Sequence, residues 1–194
     1  MALASVGVSG APGRRADSQA TCNSGEVIST STLMAGSVSL KVVTETCPGL
    51  TTSSPSSDAF RLDNGTVVID NVDVRSPSSK RQTAISGTCD IQCMDIGTAA
   101  DMSDCSIIEN ELNGIDGYFT AYPATRTTFS FQTCALNFIN AIDEELSVYY
   151  PTIGTISGDV ASDCLSGDMG SEGGECQEIP GLDWVFGAYG VTDM

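Results

Sequence analysis

No histidine occurs anywhere in the 194 residues, and this absence removes more chemistry than any motif in the chain supplies. Ser-His-Asp and Cys-His nucleophilic arrangements both need an imidazole to carry the proton, and histidine is the side chain whose ordinary pKa suits acid–base work near neutrality. Catalysis would fall to carboxylates, lysine, tyrosine or a metal. No pair of carboxylates is singled out by its spacing, so a carboxylate-dependent barrel enzyme is the third of three readings.

Long apolar runs are missing too. No stretch approaches the roughly 18 residues needed to cross a bilayer as a helix, and direct membrane insertion is not expected. Basic charge is scarce and uneven: residues 1–81 hold seven basic and seven acidic groups, whereas residues 82–194 hold Arg126 alone against eighteen acids. Nucleic-acid affinity rests largely on Lys and Arg neutralising phosphates, so nucleic acid is not an expected partner. The formal charge of −17 is compatible with solubility, cationic partners or divalent ions. Asp101 and Asp104, or Asp168, Glu172 and Glu175, offer the hard oxygens calcium prefers, but the EF-hand pattern is missing. The sequence therefore assigns no metal and no cofactor.

What the chain does have is cysteine. There are eight, an even count without the paired CxxC knuckles of a tetrathiolate zinc site, which favours disulfides and an oxidising compartment, extracellular or an organelle lumen. Cys93 and Cys105, like Cys164 and Cys176, are separated by eleven residues, and each pair is expected to close its own polar, acidic loop. That leaves Cys22 with Cys47 and Cys89 with Cys134. The interval from Ala84 to Tyr150 carries four of these cysteines and the clearest periodicity. Ile85, Gly87, Cys89, Ile91 and Cys93 alternate with polar residues, as in a strand buried on one face, and the two cysteines must reach different elements. Ile107 and Ile108 open a further apolar run. Asn113-Gly114 and Asp116-Gly117 predict a reversal before a strand at Tyr118–Tyr122, and Thr127–Gln132 reads as another. Ala135, Phe138, Ile139, Ile142, Leu146 and Tyr149 recur at intervals of three and four, which predicts an amphipathic helix closed by Pro151.

Elsewhere, Val27-Ile28 and Leu40–Val43 predict two short strands around a Gly/Ser/Met segment. Phe60–Ile69 predicts a hairpin turning on Asn64-Gly65, and Asn64 also heads the only glycosylation sequon. Thr152–Val160 reads as a last strand or two, and Cys164–Cys176 as loop. Met1–Arg15 lacks the charged start of a secretory signal, and residues 1–21 read as a flexible arm or leader remnant before a single domain over 22–194.

These signals predict a mainly β fold, a sandwich or small barrel of roughly seven to ten short antiparallel strands with one amphipathic helix, stapled by disulfides. The expected function is non-enzymatic: a secreted or lumenal structural or interaction subunit that binds a protein partner or itself. Trp184, Phe186 and Tyr189, with Tyr118 and Tyr122, are the candidate contacts. An extracellular glycan- or ligand-binding module is the alternative.

Overall fold

The computed structural model describes residues 22, 25–48, 66–69, 87–94, 98–166, 172–179 and 183–191. The expected N-terminal arm, the Asn64-Gly65 turn with its sequon and the first arm of that hairpin lie outside them. In chain order the elements are β1 (Val27–Ala35), β2 (Val38–Thr46), β3 (Thr66–Ile69), β4 (Gly87–Met94), α1 (Met102–Asn113), β5 (Tyr118–Ala121), β6 (Thr125–Phe131), β7 (Cys134–Asn140), β8 (Leu146–Tyr149), α2 (Tyr150–Leu165), β9 (Gly173–Ile179) and β10 (Trp184–Gly190).

Eight strands form one antiparallel sheet in the order β1-β2-β6-β7-β10-β9-β4-β3, and β5 pairs with β8 in a separate ribbon. Both helices and the ribbon pack on one face of the sheet. Register sorts the two faces. Cys89, Ile91, Phe129, Leu136, Phe138 and Phe186 point towards the helices and are all buried. Ile108 and Leu112 of α1 and Ile153, Ile156 and Val160 of α2 close the same core from above. Phe119 of the ribbon meets Phe129 and Phe138 edge-on at 5.5 and 6.2 Å, an arrangement aromatic rings prefer.

The β-rich, disulfide-stapled character expected from the sequence is present, with two helices, neither of them at the predicted place. Residues 135–149 are strands β7 and β8. All seven residues of β7 are buried, because this central strand is covered on both faces, so no alternation appears. Asn140 then organises the turn: its Nδ2 donates to the carbonyls of Ala121 and Glu144, and its Oδ1 accepts from the Ile142 amide. The three-and-four spacing arose from adding two strands across this turn. Pro151 opens α2 instead of closing a helix; its fixed φ and missing N–H suit the first turn. Helix α2 takes the Thr152–Val160 stretch read as strand, and α1 takes Ile107 and Ile108. The α1 start carries its own signal, since the Asp101 side chain accepts from the Ser103 amide at 2.8 Å, an N-cap of the usual kind.

Cys22–Cys47 is bonded as expected. The other three bonds are Cys89–Cys176, Cys93–Cys164 and Cys105–Cys134, which corrects the two local loops and the Cys89–Cys134 pairing. Cys105 lies within α1 and Cys164 within the last turn of α2, so each helix is fastened to the sheet beneath it. Cys89 and Cys93 do share one face of β4 and do reach different elements, β9 and α2. At Gly174, opposite Cys93 in register, a Cβ would collide with the Cys164 sulfur; glycine leaves the room this bond occupies. The bonds that join residues 71 and 87 positions apart each raise the free energy of the unfolded chain by about 4–5 kcal/mol on the loop-closure estimate.

Candidate functional site

The face of the sheet away from the helices carries the polar residues. Three rows run across its strands: Val43–Thr128–Asn137–Gly187–Glu175–Gln92, flanked by Glu45–Arg126–Ile139–Val185–Gln177–Asp90 and Lys41–Ser130–Ala135–Tyr189–Gly173–Met94. Arg126 stands at the centre of their interactions. Its guanidinium pairs with the Glu45 carboxylate and sits 5.9 Å from the Tyr189 ring centroid, within cation–π range. Glu175 is buried, accepts from Gln177 Nε2 at 3.0 Å, and burial raises its pKa against the opposing pull of that hydrogen bond and of Arg126. The Asn137 amide lies flat on Gly187, where a Cβ would come within 2.7 Å of its Oδ1. That buried Oδ1 has no hydrogen-bond partner. Ile139, Val185 and the Cys22–Cys47 bond form a small apolar cluster at one end of this face.

The candidate contacts from the sequence fall in three different places. Trp184 and Phe186 are interior residues, 4 % and 0 % exposed, stacked edge-on at 5.2 Å in the main core; they are not surface contacts, because β10 is a central strand and its even positions face the helices. Tyr189, on the same strand, faces the other way and belongs to the Arg126 group. Tyr118 lies on the ribbon, opposite Tyr149, with ring centroids 4.9 Å apart, and Tyr149 donates to Asp116 at 3.2 Å. Tyr122 follows β5 and is 49 % exposed.

Three of the five acids considered as calcium ligands, Asp101, Asp104 and Glu175, hold hydrogen bonds within the fold. Asp101 caps α1, and this hydrogen bonding lowers its pKa. Asp104 accepts from the Thr133 amide and hydroxyl at 3.1 and 2.6 Å, which ties the start of α1 to the β6–β7 turn beside the Cys105–Cys134 bond. Glu175 lies in β9, and Asp168 is outside the described residues. On the helix pair, burial and the Asp159 charge raise Glu109, while burial and Asp163 raise Asp159. Both move the same way, so they are not an acid and a base held apart. Among the described residues, no group of three or more Cys, Asp or Glu is arranged to hold a metal ion, and no helix is long and apolar enough to cross a membrane.

One surface was missed by the sequence reading. β1 is the end strand of the sheet, nine residues long, without charge or proline, and six consecutive residues from Val27 to Thr32 are exposed. Val27, Ile28 and Met34 are 54 %, 52 % and 65 % exposed, and with Tyr122 they are the exposed large hydrophobics among the described residues. Sheet edges are ordinarily blunted by lysine, proline, shortness or bulges. Here the bulge between Val27 and Ser29 is the single such device. The signal was available in Val27–Ala35, which is rich in β-branched residues and free of charge, but edge position follows from strand order and not from composition.

No protein family, no curated protein and no solved structure matches this chain.

Proposed function

We propose that this protein is a non-enzymatic interaction subunit of an oxidising compartment, extracellular or lumenal, that binds its partner by strand addition along β1. The observation that carries this reading is the open, uncharged edge of β1. A partner strand placed there gains a row of main-chain hydrogen bonds and cross-strand side-chain pairs worth roughly 0.2–1 kcal/mol each. The four disulfides support the compartment, since such bonds persist where thiols are not kept reduced. Light scattering on the protein isolated from its native extract is expected to give a mass above the 20.1 kDa of the chain. Replacing Thr30 and Thr32 with lysine is expected to return it to that mass. A free monomer in the native extract overturns the proposal.

A second reading, binding of a glycan or another ligand with an apolar face, is favoured by the Tyr118–Tyr149 ring pair with the Asp116 carboxylate bonded to it, and by exposed Tyr122 past the other end of β5. Aromatic faces and a polar rim suit a sugar ring. Glycan-array binding lost on Tyr118→Ala or Tyr122→Ala, with Trp184 untouched, would support it; an array without signal removes it.

A further inference from the structure

We infer that the strand which pairs with β1 is β1 of a second copy of this chain, antiparallel and centred on Ser31. The inference rests on the interaction reading above and names its partner. Its basis is the self-complementarity of the sequence in that register. Nine residues from Val27 to Ala35 paired antiparallel about their midpoint set Ile28 against Met34, Thr30 against Thr32 and Ser31 against itself, each contact occurring twice by the two-fold symmetry except the last. Thr30, Thr32 and Met34 project on the same face as Val43, Lys41 and Ser39, and Ile28 is the extra residue of the bulge between Val27 and Ser29, with no residue of β2 opposite it. In this register Met34, 65 % exposed, meets the bulge residue Ile28, 52 % exposed, at both ends, with threonines between.

Charge points to the same occupant. Two copies at −17 each repel over most of their surfaces, yet β1 carries no charge, and its hairpin partner β2 carries Lys41 and Glu45, which cancel. Glu45 is further neutralised by Arg126. Over Val27–Ala35 one acidic copy can therefore approach another without setting carboxylates of β1 face to face. The opposite side of β1 agrees, since Ser29 and Ser31 are exposed there as well, so the helix layer stops short and leaves room for the incoming strand.

The test uses the purified full-length chain. Light scattering across a concentration series is expected to show a reversible rise towards twice 20.1 kDa. Thr30→Lys with Thr32→Lys, which sets ammonium groups opposite each other in two cross-strand pairs, is expected to weaken the dimer at least tenfold while leaving circular dichroism unchanged. Every described cysteine is already bonded, so Ser31→Cys adds a single thiol at the two-fold axis and is expected to give a covalent dimer on non-reducing gels. Thr32→Cys, whose two thiols are offset along the strands, is expected not to. A purified chain that stays monomeric while the native complex persists and is still broken by the lysines overturns self-pairing and leaves the interaction reading standing. A dimer that survives the lysines, or that cross-links through Thr32→Cys and not Ser31→Cys, overturns the inference too.

Discussion

Strands β1 and β10 are both long and uncharged, and the molecule uses them in opposite ways. β10, Trp184–Gly190, is much the more apolar, yet it lies fifth of eight strands in the sheet, with all but Tyr189 buried. β1 is a run of Val, Ile, Ser, Thr, Leu, Met and Ala, polar enough to pass for a surface strand, and it is the open end. The lesson is that position in the sheet decides which strand meets a partner. An aromatic-rich tail looked like a docking surface because its apolarity was visible, whereas its neighbours β7 and β9, which cover it, were not.

The contrast can be tested by damaging each strand in turn. Phe186→Ala, which removes a fully buried ring, is expected to cost about 3–5 kcal/mol of stability, read from denaturant unfolding, through lost burial and the cavity left behind. An effect below about 1 kcal/mol would mean that β10 is not the interior strand described. A smaller effect is expected one strand away from β10. Burial holds the Glu175 pKa above the ordinary 4.5, so its folded form keeps the proton to higher pH than the unfolded chain does. The stability this contributes is complete below about pH 4.5 and is lost as pH rises through the folded value. Thermal melting of wild type should therefore fall relative to Glu175→Gln as pH is raised from 4 to 7; parallel melting curves would show that Glu175 is not confined on that face. The smallest effect belongs to β1: Thr32→Lys should change the stability of the monomer by less than about 0.5 kcal/mol, as an exposed substitution away from core and caps, while still weakening association. If it unfolds the chain instead, β1 is not an edge.

Parts of this arrangement were legible in the residues themselves. The period-two pattern of Cys89, Ile91 and Cys93 described β4 and its inward face, and the Thr127–Gln132 alternation described most of β6. The β-branched hairpin arms flanking Gly36 were also readable, as Gly36 adopts the φ of +57° that a tight reversal needs. Other parts were hidden by burial on both faces. β7 shows no alternation because Asn137 and Ile139 are as buried as Phe138, and a strand without alternation followed by an ordered turn imitates helical spacing. α1 was concealed by the assumption that two cysteines eleven residues apart should close a loop. Asp101 followed by Cys105, Ile108 and Leu112 was the better guide, an N-cap ahead of an apolar stripe. Three of the four disulfide pairs could not be read, because they join elements that only the assembled fold brings together.

That sheet order gives residues 184–190 a further role. β1-β2-β6-β7 lie on one side of β10 and β9-β4-β3 on the other, so the two groups share no ladder except through this strand. The sulfur bonds keep the same division: Cys105–Cys134 binds α1 to the first group, while Cys89–Cys176 and Cys93–Cys164 lie within the second group and between it and α2. β10 therefore acts as a keystone between two leaves that otherwise meet across the helix layer, where α1 packs on α2 and the Ser157 hydroxyl of α2 donates to the Asn137 carbonyl of β7. A chain interrupted before Trp184 would keep the residues of both leaves and lose the strand that forms a ladder with each.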